Sequence, residues 1–444
     1  MVVVAVVCCG TAVATGQNVD VDELIPTVNS PYSRFGLGDF DNQAYAAQLG
    51  LGGMSAAYSN VYRLNIMNPA SLGFMESTAL EVGLDATRTS LQANGAQETS
   101  WGGNLSYLAL GFPLINPINE VLDRKQSPLG LGMAFAIQPY TTVGYNIVTT
   151  EQDENIGQTT NTLVGSGGTY RFSWSNAVKY GPISGGFTLG MVRGAIGNSR
   201  QVQFDSLALA YETNFLDETT LTGFYWRFGL QYIIKLKSKK SADTRQESRR
   251  RIMVGIHGNT INSFNTRSDR FVERTLGGAT DTLVAVEQLE GNGQLPAELT
   301  AGLMYEVQNK LRLGVEGSVA NWSQYENDAQ TFTQLQDTWQ LRVGGEYIPN
   351  YQSYNNYFKR VRYRFGAYYR TDPRQFEGEQ LTDYGLSLGF GLPIILPRQR
   401  TSFVDLSLEG GQFGLSDQLQ ETYVRITLGF TLNDNTWFFK RKFN

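Results

Sequence analysis

Histidine, cysteine and charge are all scarce in this chain. Of its 444 residues one is His, two are Cys and 17% are Asp, Glu, Lys or Arg, against roughly a quarter charged in an ordinary soluble domain. Both cysteines, Cys8 and Cys9, lie in the first sixteen residues. The remainder has no thiol for a disulfide or a zinc site, so a His/Cys metal cluster is excluded and no cofactor is expected. His257 is the one base available to any Ser-His nucleophilic chemistry, and enzyme function is not expected. No apolar run reaches the ~18 residues of a membrane-spanning helix, which excludes a helical inner-membrane protein. A net charge of −5 and a pI near 5.2 give nucleic acid nothing to bind.

What the chain has in quantity is glycine and aromatic residues: 48 Gly, 24 Phe, 23 Tyr and 6 Trp. They sit in segments of strict alternation. Val424, Ile426, Leu428, Phe430 and Leu432 alternate with Arg425, Thr427, Gly429 and Thr431. The same register runs through Tyr384 to Leu392, Val361 to Tyr369 and Trp339 to Tyr347. Side chains on a strand face opposite ways, so each segment has one apolar face and one face that is polar or Gly. Fourteen such segments are centred near residues 83, 106, 138, 173, 190, 227, 258, 302, 316, 343, 366, 387, 407 and 427. Many run to about ten residues, longer than the five or six usual in soluble sheets. An even number of long alternating strands predicts an all-β fold, a 14-stranded antiparallel transmembrane β-barrel of the Gram-negative outer membrane. Residues 1–16, apolar at the front and ending Ala14-Thr15-Gly16, read as a signal peptide.

The connections fall into two alternating sets, one rich in Pro or basic residues and the other polar and acidic. Residues 235–251 carry eight basic and two acidic side chains, a local net of +6. They read either as a solvated, flexible turn or as a docking patch for a periplasmic partner or lipid phosphate. Residues 267–294 form a long outer loop, either mobile or folded over the barrel mouth as a lid or a partner-binding loop. The polar face of the last six strands bears Arg312, Glu316, Arg342, Glu346, Arg362, Arg364, Arg370, Asp405, Glu409 and Arg425. Charges inside a barrel must be hydrated or paired, which predicts either Arg–carboxylate bracing of the lumen or a polar channel wall. His257 shares the inward face of its strand and reads as structural. Asp39-Phe40-Asp41-Asn42 lacks the Gly and Glu of a calcium loop and reads as a turn.

The N-terminal stretch carries a resemblance. Ser30-Pro-Tyr-Ser-Arg-Phe-Gly36 is followed by Gly50-Leu-Gly-Gly-Met54 and then by Asn68-Pro69-Ala70, just ahead of the first strand. In that position Asn68-Pro69-Ala70 resembles the Asn-Pro-Ala box of the FadL/TodX family of outer-membrane transport proteins. The opening and the Trp437-to-Lys442 tail are similar to members from Bacteroidota. The resemblance implies fourteen strands with a lumen-plugging hatch, here residues 17–75, followed by the barrel 76–434 and a periplasmic tail 435–444. Pro69 keeps Asn68 out of helical geometry and the Asn side chain can bond nearby backbone, which makes a rigid turn, in the lumen or as a plain entry to the first strand. That family also has a kink in its third strand that opens the wall sideways. Pro139 marks either an equivalent gap or the place where pairing stops near the outer rim. Val143, Tyr145 and Ile147 keep the parity of Phe135 and Ile137 across it.

Two functions stay open on the sequence. One is passive transport of a hydrophobic small molecule between the outside and the outer-membrane lipid. The polar lumen fits this poorly, so the apolar surface would come from the hatch (Leu49, Leu51, Met54, Tyr58, Tyr62, Met67) and the early strands. The alternative is a non-transporting barrel subunit of a multi-protein outer-membrane secretion or surface-protein assembly complex, with other envelope proteins as partners.

Overall fold

The computed structural model describes residues 29–93, 96–115, 127–154, 157–207, 209–240, 247–330, 335–396, 400–415 and 418–434. The signal segment 1–16, residues 17–28 of the expected hatch, positions 241–246 of the basic turn and the tail 435–444 lie outside the described residues.

A short strand β1 (Asp39–Phe40) and a one-turn helix α1 (Ala46–Leu49) precede the main sheet. The sheet then runs β2 (Thr78–Ala93), β3 (Ala96–Pro113), β4 (Leu129–Asp153), β5 (Gly157–Tyr180), β6 (Ile183–Phe204), β7 (Glu212–Lys240), β8 (Glu247–Asn259), β9 (Asn262–Leu276) and β10 (Ala279–Leu295). It continues with β11 (Glu298–Val307), β12 (Leu311–Ala320), β13 (Glu326–Asn327), β14 (Thr338–Tyr347), β15 (Arg362–Phe376), β16 (Glu379–Leu396), β17 (Arg400–Gly414) and β18 (Leu419–Asp434). Fourteen of these, β2–β8, β11, β12 and β14–β18, pair antiparallel around a ring that closes where β18 meets β2. Each of the fourteen segments read from the sequence falls on one of them. The ring leaves no free sheet edge in its lower half, as a lipid environment requires.

The alternation becomes an inside and an outside. On β18 the outward Val424, Ile426, Leu428, Phe430 and Leu432 are exposed, while Thr427 and Thr431 are buried. Aromatic residues bracket the apolar band. Trp339 stacks on Tyr369, which lies opposite Tyr384, near one end, and Tyr347, Tyr363 and Phe390 line up across three strands near the other. Such twin aromatic rows mark the two interfaces of an outer-membrane barrel.

Residues 267–294 are an ordered hairpin, not an irregular loop. β9 and β10 pair along their length, and β9 extends the sheet from the outer half of β7. The alternation fades in its outer part because residues 269–290 bury neither face, while Phe264, Thr266 and Ser268 at the base of β9 are buried.

One junction in the ring is short. β3 follows β2 along almost its whole length but meets β4 only where Leu108–Pro113 oppose Ile137–Gly132. Above Ile137 the two edges part. At the same height β4 slips against β5 between Pro139 and Thr141, leaving Tyr140 as an extra residue. Pro139 has no N–H for the ladder, and a bulge absorbs the break. The extra residue reverses every side chain beyond it. Val143 and Tyr145 are therefore buried inside, while Phe135 and Ile137 face outward. The parity expected from sequence is overturned at this point.

Candidate functional site: a plugged lumen and its lateral seam

Residues 29–77 lie within the ring. Their placement depends on small residues in the wall. A Cβ at Gly255 would overlap the carbonyl oxygen of Ala56, and one at Gly366 would overlap the backbone nitrogen of Gly52. Backbone meets backbone at both points, which only glycine permits.

Asn68 is fully buried against this wall. Its extended backbone caps the short 3₁₀ turn Pro69–Phe74, and its Oδ1 accepts the Ala70 N–H at 3.1 Å. Its Nδ2 donates to Ala56 O at 2.6 Å, and Ser184 Oγ donates to Ala70 O at 2.6 Å, which ties the Asn-Pro-Ala turn to β6. Asn65 repeats the device, donating to Ser55 O and Tyr58 O. Asn68→Ala leaves the Ala70 N–H without its cap, and we expect a loss of about 1–2 kcal/mol in thermal or denaturant unfolding.

The inward charges form a chain that crosses from wall to plug. Arg63, in the plug, binds Asp405 with two hydrogen bonds of 2.8 Å. Arg364 bridges Asp405 at 2.6 Å and Glu346 at 2.7 Å, and Glu346 also receives Arg362 at 3.3 Å and Arg312 at 3.7 Å. Arg312 and Arg251 then share Glu306. A second clamp is Glu316, which accepts the Ser55 and Ala56 N–H groups at 2.7 and 2.6 Å and is held by Arg342 at 2.7 Å. Sequence reading placed the wall residues inward but had no signal for Arg63, whose partner is in β17. Arg425 stands apart, donating to Thr87.

His257 Nε2 lies 2.9 Å from Ser55 Oγ. Both are fully buried, and the nearby carboxylate, Glu316, sits on the serine side, 3.4 Å from Oγ, not on the imidazole Nδ1. The pair fastens plug to wall. Among the described residues no group of three or more His, Cys, Asp or Glu is gathered as metal ligands.

The upper half is where the wall is interrupted, and the plug fills the break. Asp39 and Phe40, expected as part of a turn, form β1 and pair with Thr142 and Thr141 on the edge of β4 that β3 leaves bare. Asp41 N–H donates to Tyr140 O at 3.0 Å, and Gln43 Nε2 to Pro139 O at 2.7 Å. Ser30 N–H donates to Gly144 O at 2.8 Å, and Asn29 Oδ1 accepts the Asn146 N–H at 3.1 Å. The orphaned backbone of β4 is thus satisfied by the N-terminal segment, as buried polar groups demand.

Behind this seam is a cavity of about 310 Å³. Phe40, Tyr140 and Trp322 make an aromatic side to it, with ring centroids 5.6 Å (Phe40–Tyr140) and 4.7 Å (Phe40–Trp322) apart. Arg171 lies 3.5 Å over the Tyr140 ring, and Asp41, Arg227 paired to Glu298, and Arg425 supply a charged side. Enclosure pushes the Asp41 carboxyl up to about 6, against the Thr142 hydroxyl that donates to it. An apolar cluster of Leu37, Val143, Leu163, Val192, Leu221 and Phe264 backs the aromatic side. The apolar lining therefore comes from Phe40 and Met67 of the N-terminal segment together with Tyr140, Leu295, Val319 and Trp322. The hatch residues Leu51, Met54 and Tyr58 pack instead on Phe74, Ile233, Met253 and Met304. A concave site with an aromatic wall and a few convergent charges suits a small molecule with an apolar body and a polar end.

Solved structures place the fold. The chain is similar to a Pseudomonas aeruginosa FadL homologue (12% identity, TM-score 0.55, covering 87% of this chain and 97% of that one). It is likewise similar to the P. putida toluene transporter TodX (15%, 0.54, 89% and 99%) and the Ralstonia pickettii toluene transporter TbuX (14%, 0.51, 90% and 99%). At these identities the likeness is one of architecture, and the barrel is of FadL type. No curated protein sequence matches the chain. The BamG family profile matches residues 1–444, and the chain belongs to the BamG family.

Proposed function

We propose that this outer-membrane barrel passes a hydrophobic or amphiphilic compound sideways, from the cavity through the β3–β4 seam into the outer leaflet. The observation that carries this reading is that the same residues, Phe40, Asp41, Gln43, Tyr140 and Thr142, both close the seam and wall the cavity. That TodX and TbuX are toluene transporters supports the substrate class. The ion-paired lower plug, part of the hatch 17–75, supports a lateral exit over an axial one. Asn68, Pro69 and Ala70 hold the plug's end of the wall contact, Pro139 sets the break, and Arg312, Glu316, Arg342, Glu346, Arg362 and Arg364 keep the lower lumen shut. The Ser30-to-Gly36 opening supports a Bacteroidota-type origin.

The test is a tether across the seam. Phe40 and Thr141 are directly opposite in the ladder, within disulfide reach of an antiparallel pair. Cells producing Phe40→Cys/Thr141→Cys should take up toluene no faster than cells lacking the protein when oxidised, and clearly faster once the tether is reduced. Equal uptake in both states would overturn the reading.

A second reading, a subunit of a multi-protein outer-membrane secretion or surface-protein assembly complex, is favoured by membership of the BamG family and by the β9–β10 hairpin. It predicts stoichiometric co-purification of other envelope proteins from native membranes. A chain recovered alone from gentle detergent would contradict it.

A further inference from the structure

The β9–β10 hairpin ends the upper sheet in an edge that the barrel does not use. β10 pairs with β9 on one side, and on the other only Gly293 and Gln294 meet a strand, β13. From Ala279 to Gly291 the outer edge of β10 has no strand partner among the described residues. An unpaired edge of this length is a template for another chain, and proteins that stay monomeric usually blunt it with lysine or proline. This edge has neither. Residues 279–295 contain no Lys, Arg or Pro. Every side chain from Ala279 to Glu290 is exposed, among them Leu283, Val284, Val286 and Leu289. The strand is held ready, because β9 is bonded to β7 and β7 to the ring.

Charge selects the occupant. β10 carries Asp281, Glu287 and Glu290. Arg274 answers Asp281 at 2.9 Å and Arg267 reaches Glu290 only at 3.8 Å, while Glu287 has no ion pair among the described residues. A second copy would bring the same acidic row to the junction. We propose that the outer edge of β10 accepts an extended segment of a partner protein, alternating apolar with Lys or Arg, as an added antiparallel strand. Main-chain bonds supply affinity in this mode, and alternate side chains supply specificity. The inference rests on the second reading above and names its surface.

The probe is a labelled synthetic peptide of alternating Val and Lys, titrated against the full chain in detergent, with an alternating Val and Glu peptide as control. Binding of the Val/Lys peptide should slow hydrogen exchange at backbone amides within residues 279–291. Val284→Lys combined with Glu287→Lys should weaken it by roughly tenfold or more, since like charges would then face each other. Leu207→Lys, on another outer turn, should leave it unchanged. Equal binding of the Val/Glu peptide, no protection at 279–291, or indifference to the double substitution would overturn the proposal. Native membranes separate the two failures. If the edge variant still co-purifies envelope proteins stoichiometrically, the edge assignment falls and the subunit reading stands. If neither wild type nor variant does, the subunit reading falls, and the peptide result alone decides whether the edge binds.

Discussion

Asp405→Ala is expected to cost about 3–5 kcal/mol of stability, because it strands two buried arginines at once. Arg63 loses both its hydrogen bonds and Arg364 loses one of its two carboxylates, and neither side chain of the Arg63 pair has solvent to turn to. The Arg63 guanidinium also sits 3.9 Å over the Phe403 ring, a contact too weak to hold the charge alone. The measurement is the unfolding midpoint of the purified barrel in denaturant. Arg63→Met/Asp405→Leu should recover most of the loss, since Arg364 keeps Glu346. A single variant as stable as wild type would mean that the chain of charges does not hold the plug.

Gly255→Val tests the same attachment from its apolar side. Overpacking a close-fitted interior costs about 1–3 kcal/mol, and a clash with backbone costs more, because no rotamer relieves it. The added side chain must displace the Ala56 carbonyl. With it go the bonds that Gln231 and Asn68 make to that oxygen. Away from the upper edge of β4 the ring completes its own ladder, so the expected result is a folded barrel with a loosened plug. Ion conductance in a planar bilayer should rise from near closed in the wild type to open-channel bursts. Gly366→Val, facing Gly52, should behave alike. A variant as closed and as protease-resistant as wild type would contradict the packing described.

The sequence disclosed the ring well because period-two alternation is a local property of each strand. Each of the fourteen expected centres falls within one strand of the ring. Alternation fails where the backbone adds a residue. Tyr140 is an unremarkable tyrosine in sequence, yet its bulge turns Val143 and Tyr145 inward and builds the apolar cluster that sequence reading did not find. The outer parts of β9 and β10 were hidden for a different reason, since residues 269–290 bury neither face and leave no pattern to read. Charges on the polar face were legible, but their pairing was not. Arg63 and Asp405 are brought together only when the plug enters the ring, and no periodicity joins residues so far apart. Asn68 was found by its position before the first strand. Its partner Ala56, and the glycines that admit it, become meaningful only once the two surfaces touch.

At Tyr140 β4 reverses its facing, where the plug replaces β3 as its neighbour. Single spin labels placed in turn at residues 133–147, in protein reconstituted into lipid vesicles, test this most directly. Collision with oxygen, which concentrates in lipid, should peak at Phe135 and Ile137, collapse across 139–145, and stay low at Val143 and Tyr145. Uninterrupted alternation, with labels at 143 and 145 as open to lipid as those at 135 and 137, would show an unbroken wall and no seam.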